Sequence, residues 1–265
     1  MSIKLFSITE DDAKINAFFT WVFEKAQAPM PETGRSGDGK VWHCETPLKD
    51  ELSGGTFGKI IYTLAKQPSE EGAPETAILD VDMALCGYES ITLKLEKEFG
   101  NYADWNRNYI AAECEADHHF VAEAANRFAG SDELEGKTVN AALSAFPFNF
   151  DLFGSLEELN RCVFGDKVEG EGDPVGFCGV LDSFTCPSMR TKDMPFSTIV
   201  GIVKGFRDMR MNVGGESFDF IIADLQTGLG TLPTVVSREQ FDLEDLAEGR
   251  YVIMNAYVTA ELLAD

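Results

Sequence analysis

The stretch "MRMNVGGESFDF" (209–220) constrains the fold more than any other part of this 265-residue chain. Both positions of Gly214-Gly215 tolerate the positive φ that a two-residue hairpin loop demands. With those two residues as the loop, Val213 pairs with Glu216, Met211 faces Phe218 and Met209 faces Phe220. These side chains share one face, and on the other Arg210 lies opposite Asp219 as a cross-strand ion pair. A register that sets apolar against apolar and charge against opposite charge predicts a β-hairpin. The same character continues on either side. Residues 195–211 read as a long first strand, with Gly201 and Gly205 allowing it to coil around a small barrel. Residues 217–237 supply a second strand, a turn at 224–230 and a third strand, 241–249 a short connecting turn or helix, and 250–263 the last strand or two.

Three features of this C-terminal segment go together: the long glycine-containing strand entering a hairpin, the Asp224-x-x-Thr227-Gly228 turn before a third strand, and Leu246-x-x-Gly249 before Tyr251-Val252-Ile253. In this order residues 195–263 resemble an oligonucleotide/oligosaccharide-binding (OB) fold, over about a quarter of the chain. One departure is that Asn255-Ala256 stand where the family commonly has a glycine in its closing strand. The resemblance implies a binding surface on the second and third barrel strands, framed by loops, and no catalysis. Single-strand binding by such a fold uses aromatic platforms and a cationic groove. The candidates here are Lys204, Phe206, Arg207, Arg210, Phe218 and Arg250. Arg210 also has Asp219 to pair with, and Phe218 has Met211 to pack against.

The N-terminal part reads as mixed. Thr9, followed by Glu10, Asp11 and Asp12, opens a helix whose apolar stripe is Ile15, Phe18, Phe19, Val22, Phe23 and Ala26. Residues 28–40 are a Pro- and Gly-rich loop, and 67–75 an acidic one. Strand signals fall at 41–45, 58–65, 76–85 and 90–99, and 137–153 reads as a largely buried strand interrupted at Pro147. Ser155 with Glu158 three residues later forms a capping-box pattern before a short helix. The spacing of Ile110, Cys114, His118, Val121, Ala125 and Phe128 predicts a long helix over 102–129. The fold class expected is therefore α+β: an acidic mixed domain over 1–165, a Gly- and acid-rich linker over 166–174, and an OB-like antiparallel β-barrel over 175–265.

Charge bears most directly on partners. Lys and Arg total 22 against 45 Asp and Glu, a formal net charge of −23. That field repels nucleic acid and anionic membrane at long range and favours basic partners or cations. From Pro174 onward there are seven basic and thirteen acidic residues, a net of −6, so −17 resides before it. No apolar run approaches the ~18 residues of a spanning helix, and the start of the chain does not resemble a signal peptide, so a cytoplasmic location is expected. None of the six cysteines forms a C-x-x-C pair, and reduced thiols are the default reading.

One segment carries the chemistry of a site. On the expected helix Cys114 and His118 are four apart, as are Glu115 and His119, and His119 and Glu123. Groups four apart on a helix can share a metal, so Cys114, His118 and His119 are the candidate ligands, with His43 or Cys44 completing a zinc-like set. The competing reading makes Cys114 and His118 core residues of the apolar stripe and His119 with Glu123 a surface pair. Asp80 and Asp82 share a strand face that could hold a cation. The lipase, P-loop and dinucleotide motifs are missing, and no cofactor is expected. The expectation is a non-enzymatic binding or adaptor protein that engages a protein partner through the barrel or an acidic surface. The alternatives are single-stranded nucleic-acid binding by the barrel, a metal-dependent hydrolase around His118 and His119, and an acidic inhibitor or immunity protein.

Overall fold

Asp11, not Thr9, caps the first helix, α1 (Asp12–Gln27), its carboxylate accepting from the amides of Ala13 and Lys14 at 2.8 and 3.4 Å. Thr9 stands two residues too early. Its hydroxyl accepts from Asp11 N and donates to the Glu239 carboxylate at 2.7 Å, tying the helix start to a distant turn. Ile15, Phe18, Val22 and Ala26 are buried along the predicted stripe. Phe23, at its margin, is 52% exposed. The computed structural model describes residues 8–28, 30, 32–35, 41–67, 75–99, 109–114, 119–126, 136–164, 180–181 and 197–263.

The chain is mostly β-sheet with few helices. The first sheet is an antiparallel meander of β1 (Glu32–Arg35), β2 (Val41–Lys49), β3 (Thr56–Gln67) and β4 (Glu75–Leu85). The segment 28–40, expected to be loop alone, contains β1, held by its pairing with β2 rather than by strand propensity. The second sheet has nine strands: β5 (Ile91–Phe99), β6 (Tyr109–Cys114), β7 (His119–Ala124), β8 (Thr138–Phe153), β9 (Val180–Leu181), β10 (Ser197–Val213), β11 (Glu216–Thr227), β12 (Gly230–Ser237) and β13 (Tyr251–Leu263). A second helix, α2 (Leu156–Phe164), follows β8. Its predicted cap forms: Glu158 N donates to Ser155 Oγ at 3.2 Å, and the Glu158 carboxylate accepts from Gly154 N at 2.7 Å.

The hairpin register is the one the side chains dictate. Val213 pairs with Glu216, Met211 with Phe218, Arg210 with Asp219 and Met209 with Phe220. Gly214 and Gly215 sit at φ +61° and +83°. Beyond the hairpin the sheet is partly ring-like. β10 pairs with β11, β11 with β12, β12 with β8 through one parallel pair at Thr234 and Ala145, β8 with β13, and β13 with β10. The strand between β12 and β13 is thus β8, from the N-terminal side of the linker expected at 166–174. A second circuit shares the same spine, running β8–β5–β6–β7–β13. A separate C-terminal barrel was expected, but here one long pair, β8 with β13, serves two closures.

The helix expected over 102–129 is a correction. Where described, it is the antiparallel pair of β6 and β7, with Ile110 opposite Ala122 and Glu113 opposite His119. Within the described pair the pattern reduces to spacings of four, Ile110 to Cys114 and Val121 to Ala125, and a spacing of four satisfies a period of two as well as one of 3.6; the spacings of three that favoured a helix involve His118 and Phe128, which lie outside the described residues. Tyr109, Ile110, Phe120 and Val121 suit strands, and β5 supplies the pairing.

Two cores result. One fills the ring-like sheet, with Ile199, Val203, Ile221, Leu225, Val236, Val252 and Met254 among its members. The other lies between the outer face of β10–β12 and a cover made of α1 and the first sheet. It joins Met209, Met211, Phe218, Phe220, Ile222 and Val235 to Phe18, Val22, Leu48, Ile60 and Tyr62. Phe18 and Phe218 meet edge to face with ring centroids 6.0 Å apart.

Candidate functional site

The residues expected to form a basic, aromatic groove lie on β10 and β11 and on the turn after 241–249, and the structure gives most of them local partners. Phe218 is 1% exposed in the core beneath α1 and presents no stacking surface. Arg210 Nε donates to Asp219 Oδ1 at 2.7 Å. The Arg210 backbone is also engaged: its N–H donates to Asp50 Oδ1 at 3.0 Å and its carbonyl accepts from Glu51 N at 2.8 Å. Burial works against ionisation of Asp50, but amide donors from Arg210, Leu52 and Ser53 outweigh it and hold its pKa below the ordinary value.

Arg207 lies over the Tyr88 ring at 5.5 Å, donates to the Tyr88 hydroxyl and approaches Asp224 Oδ2 at 3.5 Å. Burial, then the Asp224 charge, pushes the Tyr88 phenol up to about 12. Arg250 reaches Asp245 at 3.5 Å, and Arg238 pairs with Asp208. Each of these four arginines therefore has an aspartate partner. Lys204, in the register shift between Val203 and Gly205, is exposed, and Phe206 is 43% exposed. The surface of the second and third barrel strands that the OB resemblance implies corresponds to β11 and β12. Their outer face is filled by Phe218, Phe220, Ile222 and Val235 packed against the chain's own cover.

The metal reading rested on helical geometry. Cys114 ends one strand and His119 begins the next, and His118 lies outside the described residues. Glu113 pairs with His119 across this β6–β7 pair, so the helical spacing of four that grouped these residues is not present, and it no longer argues for a shared ion. Among the described residues no group of three or more His, Cys, Asp or Glu side chains could hold a metal.

A polar seam joins the first sheet to β13. Lys59 Nζ donates to Glu45 at 3.0 Å and to Glu261 at 2.5 Å. Burial favours the neutral amine, but the two carboxylates outweigh it and raise the Lys59 pKa. Asp82, expected on a cation-holding strand face, is buried, with Met83 N donating to its Oδ1 at 2.7 Å. Nearby on β2, His43 Nδ1 lies 3.2 Å from Thr63 Oγ1. In form this is a hydroxyl–base pair, yet His43 is 3% exposed and burial lowers its pKa to about 4. So weak a base inside a sheet is poorly placed to activate a hydroxyl at neutral pH.

The feature that sequence reasoning missed is a cleft of about 420 Å³ between the end of β8 and the turn 240–245. Phe148, Asn149, Phe150, Asp151 and Leu152 line one side, and Gln240, Phe241, Asp242 and Asp245 the other. The β8–β13 register shifts between Asn255 and Ala256: Asn255 lies opposite Asn149 and Ala256 opposite Pro147, so the register steps over Phe148. That break leaves Phe148 45% exposed, against Tyr257 at 5.4 Å. Phe150 and Phe241 pack 5.9 Å apart below. Pro147 inside a strand was the signal, since a proline there marks a bulge.

Comparison with protein-family models, curated proteins and solved structures finds no match for this chain. No helix among the described residues is long and apolar enough to cross a membrane.

Proposed function

We propose that this chain is a non-enzymatic binding protein that engages a basic protein partner through its acidic surface, with an OB-like closure of β10–β11–β12–β8–β13 as scaffold. The observation that carries the reading is the pairing of Arg207, Arg210, Arg238 and Arg250 with Asp224, Asp219, Asp208 and Asp245. These pairs neutralise the cations that a nucleic-acid groove would need, in a chain of net charge −23. The strand pairing supports the OB-like scaffold, since a five-stranded, partly open barrel is that fold's form. The burial of its second- and third-strand face moves the proposed binding surface elsewhere on the molecule.

Anisotropy titrations test this with two probes, a short labelled single-stranded DNA and a labelled peptide rich in Lys and Arg, at low and physiological salt. The reading requires binding of the peptide and not of the DNA. DNA binding that falls steeply with salt replaces it with the nucleic-acid alternative.

A further inference from the structure

We infer that the open edge of β10 at Phe206–Asp208 takes up an extended, basic-ended segment of the partner as an added β-strand. This rests on the reading just given for the partner's charge and assigns the contact a place.

In an antiparallel pair, alternate residues bond across to the neighbouring strand and the others turn their amide and carbonyl away from it. Val213 and Glu216 flank the two-residue loop and bond to each other, so Arg207, Met209 and Met211 also face β11, while Phe206, Asp208 and Arg210 face outward. Arg210 shows this directly: its N–H donates to Asp50 Oδ1 at 3.0 Å and its carbonyl accepts from Glu51 N at 2.8 Å. Further back, Val203 N–H donates to the Arg250 carbonyl at 2.9 Å, and its own carbonyl accepts from Gly249 N at 2.8 Å. Between these two clamps the outward amides and carbonyls of Phe206 and Asp208 have no partner among the described residues. Phe206, Arg207 and Asp208 are exposed in succession, so neither face of the strand is buried there. A Cβ at Gly205 would meet nothing within 4 Å.

Unpaired edge groups are a template for a further strand. The clamps set its length: Val203 to Arg210 spans about 20 Å of strand, and with both ends occupied the gap takes about five extended residues. The β10 of a second copy, at 17 residues, runs on past such a gap and meets both clamps. Charge sets the composition. Exposed acids stand beside each clamp, Glu51 at one and Glu248 at the other, and neither is in an ion pair among the described residues. Lys204 offsets one of them, while Asp208 is taken by Arg238 and Arg207 by Asp224. This pattern fits a segment with Lys or Arg at its ends and an apolar residue in its middle, set against the Phe206 ring, which is 43% exposed. The net charge of −23 steers such a segment to the surface, and main-chain bonds to the edge fix its position.

The experiment uses the full unmodified chain and a labelled peptide, Lys-Arg-Thr-Val-Thr-Val-Thr-Arg-Lys. A second peptide has proline at two adjacent central positions, so that whichever residue faces the edge lacks its donor while the charge is unchanged. Anisotropy at physiological salt compares the two, and amide hydrogen exchange by nuclear magnetic resonance locates the contact. The expected result is at least a tenfold weaker affinity for the proline peptide. With the first peptide bound, exchange at the Phe206 and Asp208 amides should slow at least tenfold, and exchange at Met209 and Met211, already bonded to β11, should change less than twofold. Equal affinity for the two peptides, or no added protection at Phe206 and Asp208, overturns the edge while leaving a basic partner in place, because binding would then be to the general field. Protection of these two amides that rises with protein concentration alone overturns the partner segment in favour of a second copy. No binding of either peptide overturns both the edge and the reading beneath it.

Discussion

Lowering the pH should destabilise this protein through His43 before its carboxylates begin to titrate. The imidazole is buried in β2 against Thr63, and burial lowers its pKa from 6.5 to about 4. The unfolded chain therefore binds a proton at His43 below pH 6.5 that the folded chain refuses until about pH 4. Stability is unaffected by this group above pH 6.5 and falls as the pH drops through that window, with a slope of up to about 1.4 kcal/mol per pH unit. Over the whole window the loss is about 3 kcal/mol, a large part of the 5–15 kcal/mol typical of a domain. Asp50 and Glu239, whose pKa values are lowered by amide, hydroxyl and lysine donors despite burial, lose their contribution only below about pH 4.5, their ordinary range. Urea denaturation at half-unit steps from pH 7.5 to 4.5 measures the slope in wild type and in His43→Asn. The variant keeps a polar atom near Thr63 and cannot be protonated. It should start about 1 kcal/mol less stable and overtake wild type before pH 5. Parallel pH profiles for the two proteins would refute the argument.

Three further outcomes follow from packing. Gly214→Ala should cost more than Gly215→Ala in urea denaturation: a Cβ at Gly214 would lie 2.4 Å from Ala17 O in α1, whereas at Gly215 it meets nothing within 4 Å. Both have positive φ, so the second should cost about 1 kcal/mol and the first about 1–3 kcal/mol more. Lys59→Met should lose about 2 kcal/mol at neutral pH in urea denaturation, because Glu45 and Glu261 lose their shared cation. Phe18→Ala should cost about 3–5 kcal/mol by leaving a cavity at Phe218, against under about 0.5 kcal/mol for Phe23→Ala, and thermal unfolding separates the two.

Local pairing was legible in the sequence wherever two independent rules agreed. Gly214-Gly215 and the matching of Met211 with Phe218 and Arg210 with Asp219 set the hairpin register to the residue. Ser155 and Glu158 located α2 in the same way. Where only one rule spoke, it could mislead. Spacings of four between Ile110, Cys114 and His118 carried no information on period, and β6 and β7 stand where a helix was expected. Long-range partners were not legible at all. No local signal says that β8 closes against both β12 and β13, because parallel contact at Thr234 and Ala145 is a property of the assembled sheet. The same holds for the surface: Phe218 could have been platform or core, and only the position of α1 decides for core. The cleft depended on Pro147, whose bulge was foreseeable but whose facing turn at 240–245 was not.

The most direct test of a basic protein partner is the two-probe titration on unmodified protein at low salt. The account predicts saturable binding of the Lys/Arg peptide, weakened by salt, and no binding of single-stranded DNA at the same protein concentrations. Binding of DNA with a steep salt dependence, together with no binding of the peptide, would contradict it.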